Sequence, residues 1–237
     1  MKKLSLLFAA VCLLLAGCGT STTDAATEQE LPDNENIQME AEQVSPDNAA
    51  QKDAPVVTVS PLPDTTMENL TDAILSVSLE KGDAYVDDTG KMQMEVKIFT
   101  YDKYDMVDIS GLKDGDIIVT HAGEMKVRTL ERNESGMVSI NGGLEAGGLD
   151  LVTDECGVFY EVGFNDAKNW YEVGEAMIRV SVDFMGVDQA DPELGDVILY
   201  PGSFLIDEIE NYDFTPYNTT IRVENGQIIE MTRRYVP

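Results

Sequence analysis

The stretch Met92-Gln93-Met94-Glu95-Val96-Lys97-Ile98 alternates apolar and polar side chains without a break. Successive side chains of an extended chain point to opposite faces, so this spacing predicts a strand that buries Met92, Met94, Val96 and Ile98. A second stretch repeats the pattern: Ala176, Ile178, Val180, Val182 and Phe184 fall on one face, with Arg179, Ser181 and Asp183 on the other. Near the C-terminus, residues 219–223 and 228–235 flank Asn225-Gly226. Asn-Gly supplies the positive φ angles of a type I′ turn, which predicts a closing β-hairpin.

Outward from these anchors, shorter strands are predicted at 71–79, 116–121, 124–131, 136–141, 157–162 and 196–200. Turn residues separate them at Gly82-Asp83, Gly115-Asp116, Gly123, Gly136 and Gly142-Gly143. Many short strands with punctuation of this kind predict an all-β fold, a small antiparallel barrel or sandwich. Met67, Leu70, Ile74 and Val77 keep helical spacing behind Thr65, but the alternation from 71 onward favours a strand there. A helical turn is expected after Ser203, through Phe204, Leu205 and Ile209. Val107-Asp108-Ile109, followed by Leu112 and Gly115-Asp116-Ile117-Ile118-Val119, reads as the entry to a small β-barrel. The folded part is expected to span 65–237, as one domain or as two small β subdomains meeting at 142–156, where glycines and acids replace periodicity.

The chain has 237 residues with 44 Asp and Glu against 16 Lys and Arg, a formal net charge of -28. Such a surface repels phosphate backbones, which excludes nucleic acid as a partner and leaves any membrane contact to a lipid. Of the three cysteines, Cys12 lies in an apolar N-terminal run, Cys18 follows it, and Cys156 stands alone beyond them. The core, not a disulfide framework, must therefore hold the domain together.

Residues 1–18 have the order of an export signal: Met1-Lys2-Lys3, an apolar run over 4–15 interrupted only by Ser5, and small residues before a cysteine. The run is too short for a bilayer span, which needs roughly 20 apolar residues. Leu15-Ala16-Gly17-Cys18 resembles the lipobox of bacterial lipoproteins. That resemblance implies removal of residues 1–17, diacylation of the Cys18 sulfur, and anchoring on the extracytoplasmic face of the cell membrane. Residues 18–64 then form an acidic, polar linker with Lys52 its sole base, which is expected to stay disordered and to reach roughly 35 to 40 Å. Ile140-Asn141-Gly142-Gly143-Leu144, the terminal hairpin and Tyr235-Val236-Pro237 are similar to uncharacterised secreted lipoproteins of anaerobic bacteria, a resemblance that supplies no activity.

Few residues point to chemistry. His121 is the single histidine, which rules out HExxH and multi-histidine metal sites and suggests an ordinary surface or partly buried residue. No GxSxG elbow is present. Cys156 follows Asp154-Glu155, whose charge disfavours a thiolate, so a buried, inert thiol is expected. The glycines of 141–148 lack the Gly-Lys-Ser/Thr ending of a phosphate loop and read as tight turns. Asp188, Asp191, Glu193 and Asp196 lie in the densest acidic loop and could offer oxygens to calcium, although their spacing is not that of an EF-hand; a solvated charge run with no cofactor is the expectation. Trp170 and Tyr171 sit in loop-like context and are the aromatic pair expected to meet a ligand. These features predict a non-enzymatic binding or scaffolding domain for a surface glycan or a protein partner. The alternative is a carboxylate-dependent hydrolase of cell-wall or dietary glycan.

Overall fold

The computed structural model describes residues 55–154, 156–163, 167–189, 197–199 and 213–235, together with 191, 193 and 195. Cys18, most of the linker, Asp196 and the turn expected after Ser203 lie outside the described residues. The chain is mostly β. In order, the strands are β1 (Thr58–Val59), β2 (Ala73–Ser78), β3 (Ala84–Val86), β4 (Met92–Thr100) and β5 (Lys103–Tyr104). A short helix α1 (Met106–Gly111) precedes β6 (Ile117–Thr120), β7 (Gly123–Lys126), β8 (Leu130–Arg132), β9 (Val138–Ile140), β10 (Leu149–Thr153) and β11 (Phe159–Glu161). The last four are β12 (Tyr171–Gln189), β13 (Val197–Leu199), β14 (Thr219–Glu224) and β15 (Gln227–Arg234).

Five strands form a closed ring. β2 bonds to β4, β4 to β12, β12 to β15, β15 to β14, and β14 back to β2. Directions cannot alternate around an odd number of strands, so at least one neighbouring pair must be parallel; here it is β12 with β15. Alternate residues fill the interior: Met94, Val96 and Ile98 from β4, Ile178 and Val180 from β12, and Leu75, Val77, Ile221, Val223, Ile228 and Met231 from the other three strands. The strict alternation of 92–98 is thus a barrel wall with Glu95 turned to solvent. The hairpin closes as its sequence dictates, with Asn225 at φ 51° and Gly226 at φ 69°.

Between β4 and β12 the chain builds a second lobe with its own core. An antiparallel sheet in the order β5-β11-β10-β9-β8 lies with the sheet β1-β6-β7 around Tyr104, Ile109, Leu112, Ile118, Ile140 and Leu151. The buried Tyr104 hydroxyl donates to the Val119 carbonyl at 3.0 Å. Asp116, 1 % exposed, accepts the Val57 and Lys113 backbone N–H groups and pins the incoming chain to the turn before β6.

Several expectations are corrected. The folded part begins upstream of residue 65, because β1 runs parallel to β6 and Val59 is buried in the second core. Residues 142–156 are not a junction: they hold a 3-10 turn and β10 inside the second lobe, and the lobes meet where β4 ends and β12 begins. The predicted strand 124–131 is two strands broken around the fully buried Val127. Residues 106–111 are helical, although rich in β-branched side chains, because Asp105 caps the Val107 N–H and Arg132 takes the Ile109 and Leu112 carbonyls at the other end. Cys156 is exposed, since it rides on a turn whose Val158 N–H and own N–H both donate to Asp154.

Val182 is 83 % exposed, against the alternation that puts it with Ile178 and Phe184. The register of β12 on β15 jumps between Val180 and Met185, which pair with Ile228 and Glu230. Four residues therefore bulge where one partner residue passes, and Val182 is carried out of the wall before burial resumes at Phe184. Ile98→Ala should cost about 2–5 kcal/mol by leaving a cavity in the barrel, whereas Val182→Ala should stay within about 0.5 kcal/mol. Urea denaturation of the two variants checks this, and comparable losses would place Val182 in the core after all.

Candidate functional site

The chain leaves the barrel through Thr100-Tyr101-Asp102-Lys103 and returns through Glu161 to Tyr171. Neighbouring side chains on extended backbone point in opposite directions, and the two crossings supply residues to two adjoining sites, with Thr100, Tyr101 and Lys103 bordering both.

Asp102 lies on one side. It is 3 % exposed and receives the His121 backbone N–H at 2.7 Å on Oδ2 and the Tyr171 hydroxyl at 2.9 Å on Oδ1. The His121 Nδ1 atom approaches Oδ2 within 3.2 Å, and the imidazole stacks on the Tyr171 ring at 4.2 Å. Glu161, at the end of β11, accepts the Asn169 side-chain amide on Oε1 at 2.8 Å, while its buried Oε2 has no hydrogen-bond partner. One ligand-type atom from each of Asp102, His121 and Glu161 lies within 4.8 Å of the others, so these three are the described residues that could hold a metal ion. Burial raises the Glu161 carboxyl, Asp102 adds to the effect, and the Asn169 amide and His121 oppose it. Burial, then the bond to Asp102, raises the Tyr171 hydroxyl. Asp102, His121 and Tyr171 also line a cavity of about 340 Å³, with Thr100, Thr120 and the Pro61-Leu62-Pro63 segment.

The other side is aromatic and cationic. Tyr101 packs edge-on against Tyr160 and Trp170, at 5.9 and 4.8 Å between ring centroids. Lys168 Nζ bonds the Tyr101 hydroxyl at 2.7 Å and also faces the Tyr160 ring. Lys103 stands 4.9 Å from the centre of the Tyr101 ring. Tyr101, Lys103, Lys168 and Trp170, with Tyr217 and Arg234, border a groove of about 350 Å³ on the outside of the barrel, where Ile74 is exposed.

Trp170 and Tyr171 are therefore both at candidate sites, but at different ones: Trp170 borders the groove and Tyr171 holds Asp102. Among the residues of the acidic loop, Asp188 is held by Arg233 through two contacts, at 3.1 and 2.7 Å, and Asp191 accepts the Glu193 N–H. The glycines of 141–148 do make tight turns, with Gly142, Gly143 and Gly147 at positive φ. The adjacent Leu144 N–H is taken by the chain's own Asp150. His121 was legible as the single histidine, but nothing in its neighbourhood points to Asp102 or to Glu161, 40 residues further along. No protein-family model, curated protein or solved structure matches the chain.

A carboxyl whose folded pKa is raised lends its stability below its unfolded value, about pH 4, and loses it as the pH rises through the folded value. At neutral pH the Glu161 carboxylate is thus a cost. In chelator-treated protein Glu161→Gln should melt higher than wild type at pH 7, with the difference shrinking toward pH 4. Calorimetry across that range tests it; a variant less stable than wild type at pH 7 would mean that the ionised carboxylate is compensated.

Proposed function

We propose that the chain is a lipid-anchored extracytoplasmic binding protein whose β domain takes an acidic saccharide in the groove beside Trp170. One observation carries the reading. In a chain with 44 acids and 16 bases, Lys103, Lys168 and Arg234 converge on a groove bordered by Tyr101, Trp170 and Tyr217. Aromatic faces pack on the apolar faces of sugar rings, and cations fixed beside them select a carboxylate. The surrounding negative field opposes an anionic ligand, so an anion must meet its compensating charge locally. Lys168 is already ordered by Tyr101, which lowers the entropy lost on binding. The lipobox-like residues ending at Cys18 support the anchor, and the acidic linker would hold the groove away from the membrane.

Binding fits better than glycan hydrolysis. Asp102 and Glu161 are close, but both are more than nine-tenths buried and Asp102 is engaged by several donors. A glycosidase needs its two carboxyl groups on either side of an exposed bond.

Trp170 is the only tryptophan, so intrinsic fluorescence reads the groove directly. Titration with oligogalacturonate should change that emission, whereas a neutral cello-oligosaccharide should bind more weakly, and Lys168→Met should narrow the gap between the two. With Trp170→Ala, calorimetry should show a loss of about tenfold, the scale of one aromatic contact. Equal binding of the neutral and acidic sugars, or none of either, would remove the reading. For the anchor, Cys18→Ser should move the expressed protein from the detergent phase to the aqueous phase in a Triton X-114 partition. Identical partition of both proteins would count against lipidation.

A further inference from the structure

The groove leaves the cluster beneath Tyr171 without a role. Its two carboxylates share one feature. In each, one oxygen is tied by a side-chain donor, Tyr171 to Asp102 Oδ1 and Asn169 to Glu161 Oε1. Asp102 Oδ2 takes the His121 backbone N–H at 2.7 Å and lies 3.2 Å from His121 Nδ1, whereas Glu161 Oε2 is buried with no hydrogen-bond partner in a residue 6 % exposed. A buried carboxylate oxygen without a donor is costly, and such an atom calls for an explanation.

We propose that Asp102, His121 and Glu161 bind one divalent cation of the zinc class, an inference independent of the saccharide groove. Bond lengths of about 2.0–2.2 Å to nitrogen and oxygen set neighbouring ligands of a tetrahedral ion about 3.4 Å apart. The Nδ1 to Oδ2 separation of 3.2 Å already matches that edge. One ligand-type atom of each residue lies within 4.8 Å of the others, so an ion bound among them would draw the Glu161 carboxylate inward and offer its orphan oxygen a partner. Tyr171 and Asn169 then act as the outer hydrogen-bonding shell that fixes ligand orientation. The imidazole is further fixed by stacking on Tyr171 and by the bond from its own backbone N–H to Asp102. The donor set selects the metal. One imidazole and two carboxylates are too few oxygens for calcium, which takes six to eight ligands, whereas imidazole with carboxylate suits zinc and its transition-metal neighbours. Because Asp102 and His121 line the cavity of about 340 Å³, an ion can enter from solvent and keep a water as its fourth ligand.

The test uses the full chain stripped with a chelator and dialysed. Titration calorimetry with zinc chloride should give one site per chain, and zinc should raise the melting temperature while calcium at matched ionic strength does not. Cobalt chloride should give the visible absorption of a low-coordinate site, a signature that loose surface binding lacks. His121→Asn and Glu161→Gln should each weaken zinc at least tenfold with an unchanged far-ultraviolet circular dichroism spectrum. Trp170→Ala should leave zinc binding intact, so failure here and failure of the groove reading are told apart. Absence of a stoichiometric site, equal stabilisation by calcium, or wild-type zinc affinity in His121→Asn would each overturn the proposal.

Discussion

The structure depends on one strand being hydrogen-bonded along both edges. The first half of β12 pairs with β4 and the second half with β15, so a strand of 19 residues joins the two ends of what would otherwise be an open sheet. At Arg179 both partners are present at once, Gln93 on one side and Gln227 on the other. Closure pairs all five ring strands on both sides and leaves only the three-residue strands β13 and β3 at the ends of the sheet. It also requires a parallel contact within the ring, since the strand count is odd, and β12 with β15 supplies it. The bulge after Val180 follows from the same demand: β12 must bend away from β4 to reach β15 and then β13, and surplus residues on one strand supply that bend.

Closure also explains where chemistry collects. A ring tolerates an insertion only where its strands end, and the second lobe enters after β4 and leaves before β12, two ring neighbours. The crossing segments must satisfy backbone groups that no ladder reaches. Asp102 does so for the His121 N–H, and the Glu161 carbonyl accepts the Asn169 N–H as the chain turns back. Side chains recruited for such bonds come from both lobes, which is how residues distant in sequence become neighbours at Tyr171.

Much of the barrel was legible because its signal is local. The alternation of 92–98 and the Asn225-Gly226 turn each state a face or a bend without reference to the rest of the chain, and both hold. What was hidden depends on contact at a distance. Val182 carries the right residue type at the right spacing and still faces solvent, because it lies in a bulge against a partner strand more than forty residues away. Thr58 and Val59 sit in a run of linker composition and fold only because β6 presents an edge and Asp116 supplies an acceptor. Asp102 and Glu161 look like any other acids in a chain of 44, and only burial sets them apart. Trp170 and Tyr171 were identified by context, but adjacency in sequence concealed that their roles differ.

That difference is the pleat at work. Tyr101 and Asp102 leave β4 as neighbours, and Trp170 and Tyr171 enter β12 as neighbours, so one member of each pair goes to each side of the crossing. Tyr101 and Trp170 meet edge to face and gather Lys168; Asp102 and Tyr171 meet through a hydrogen bond and gather His121. The separation has an electrostatic consequence. Lysines drawn toward Asp102 and Glu161 would neutralise both groups, leaving neither a cationic groove nor an acidic cluster. The lysines are instead held by ring faces and a phenol hydroxyl, which attract a cation without cancelling its charge. The strongly acidic chain thereby keeps a positive groove and a buried pair of carboxylates within a few residues of each other, with Tyr101 and Lys103 bordering both.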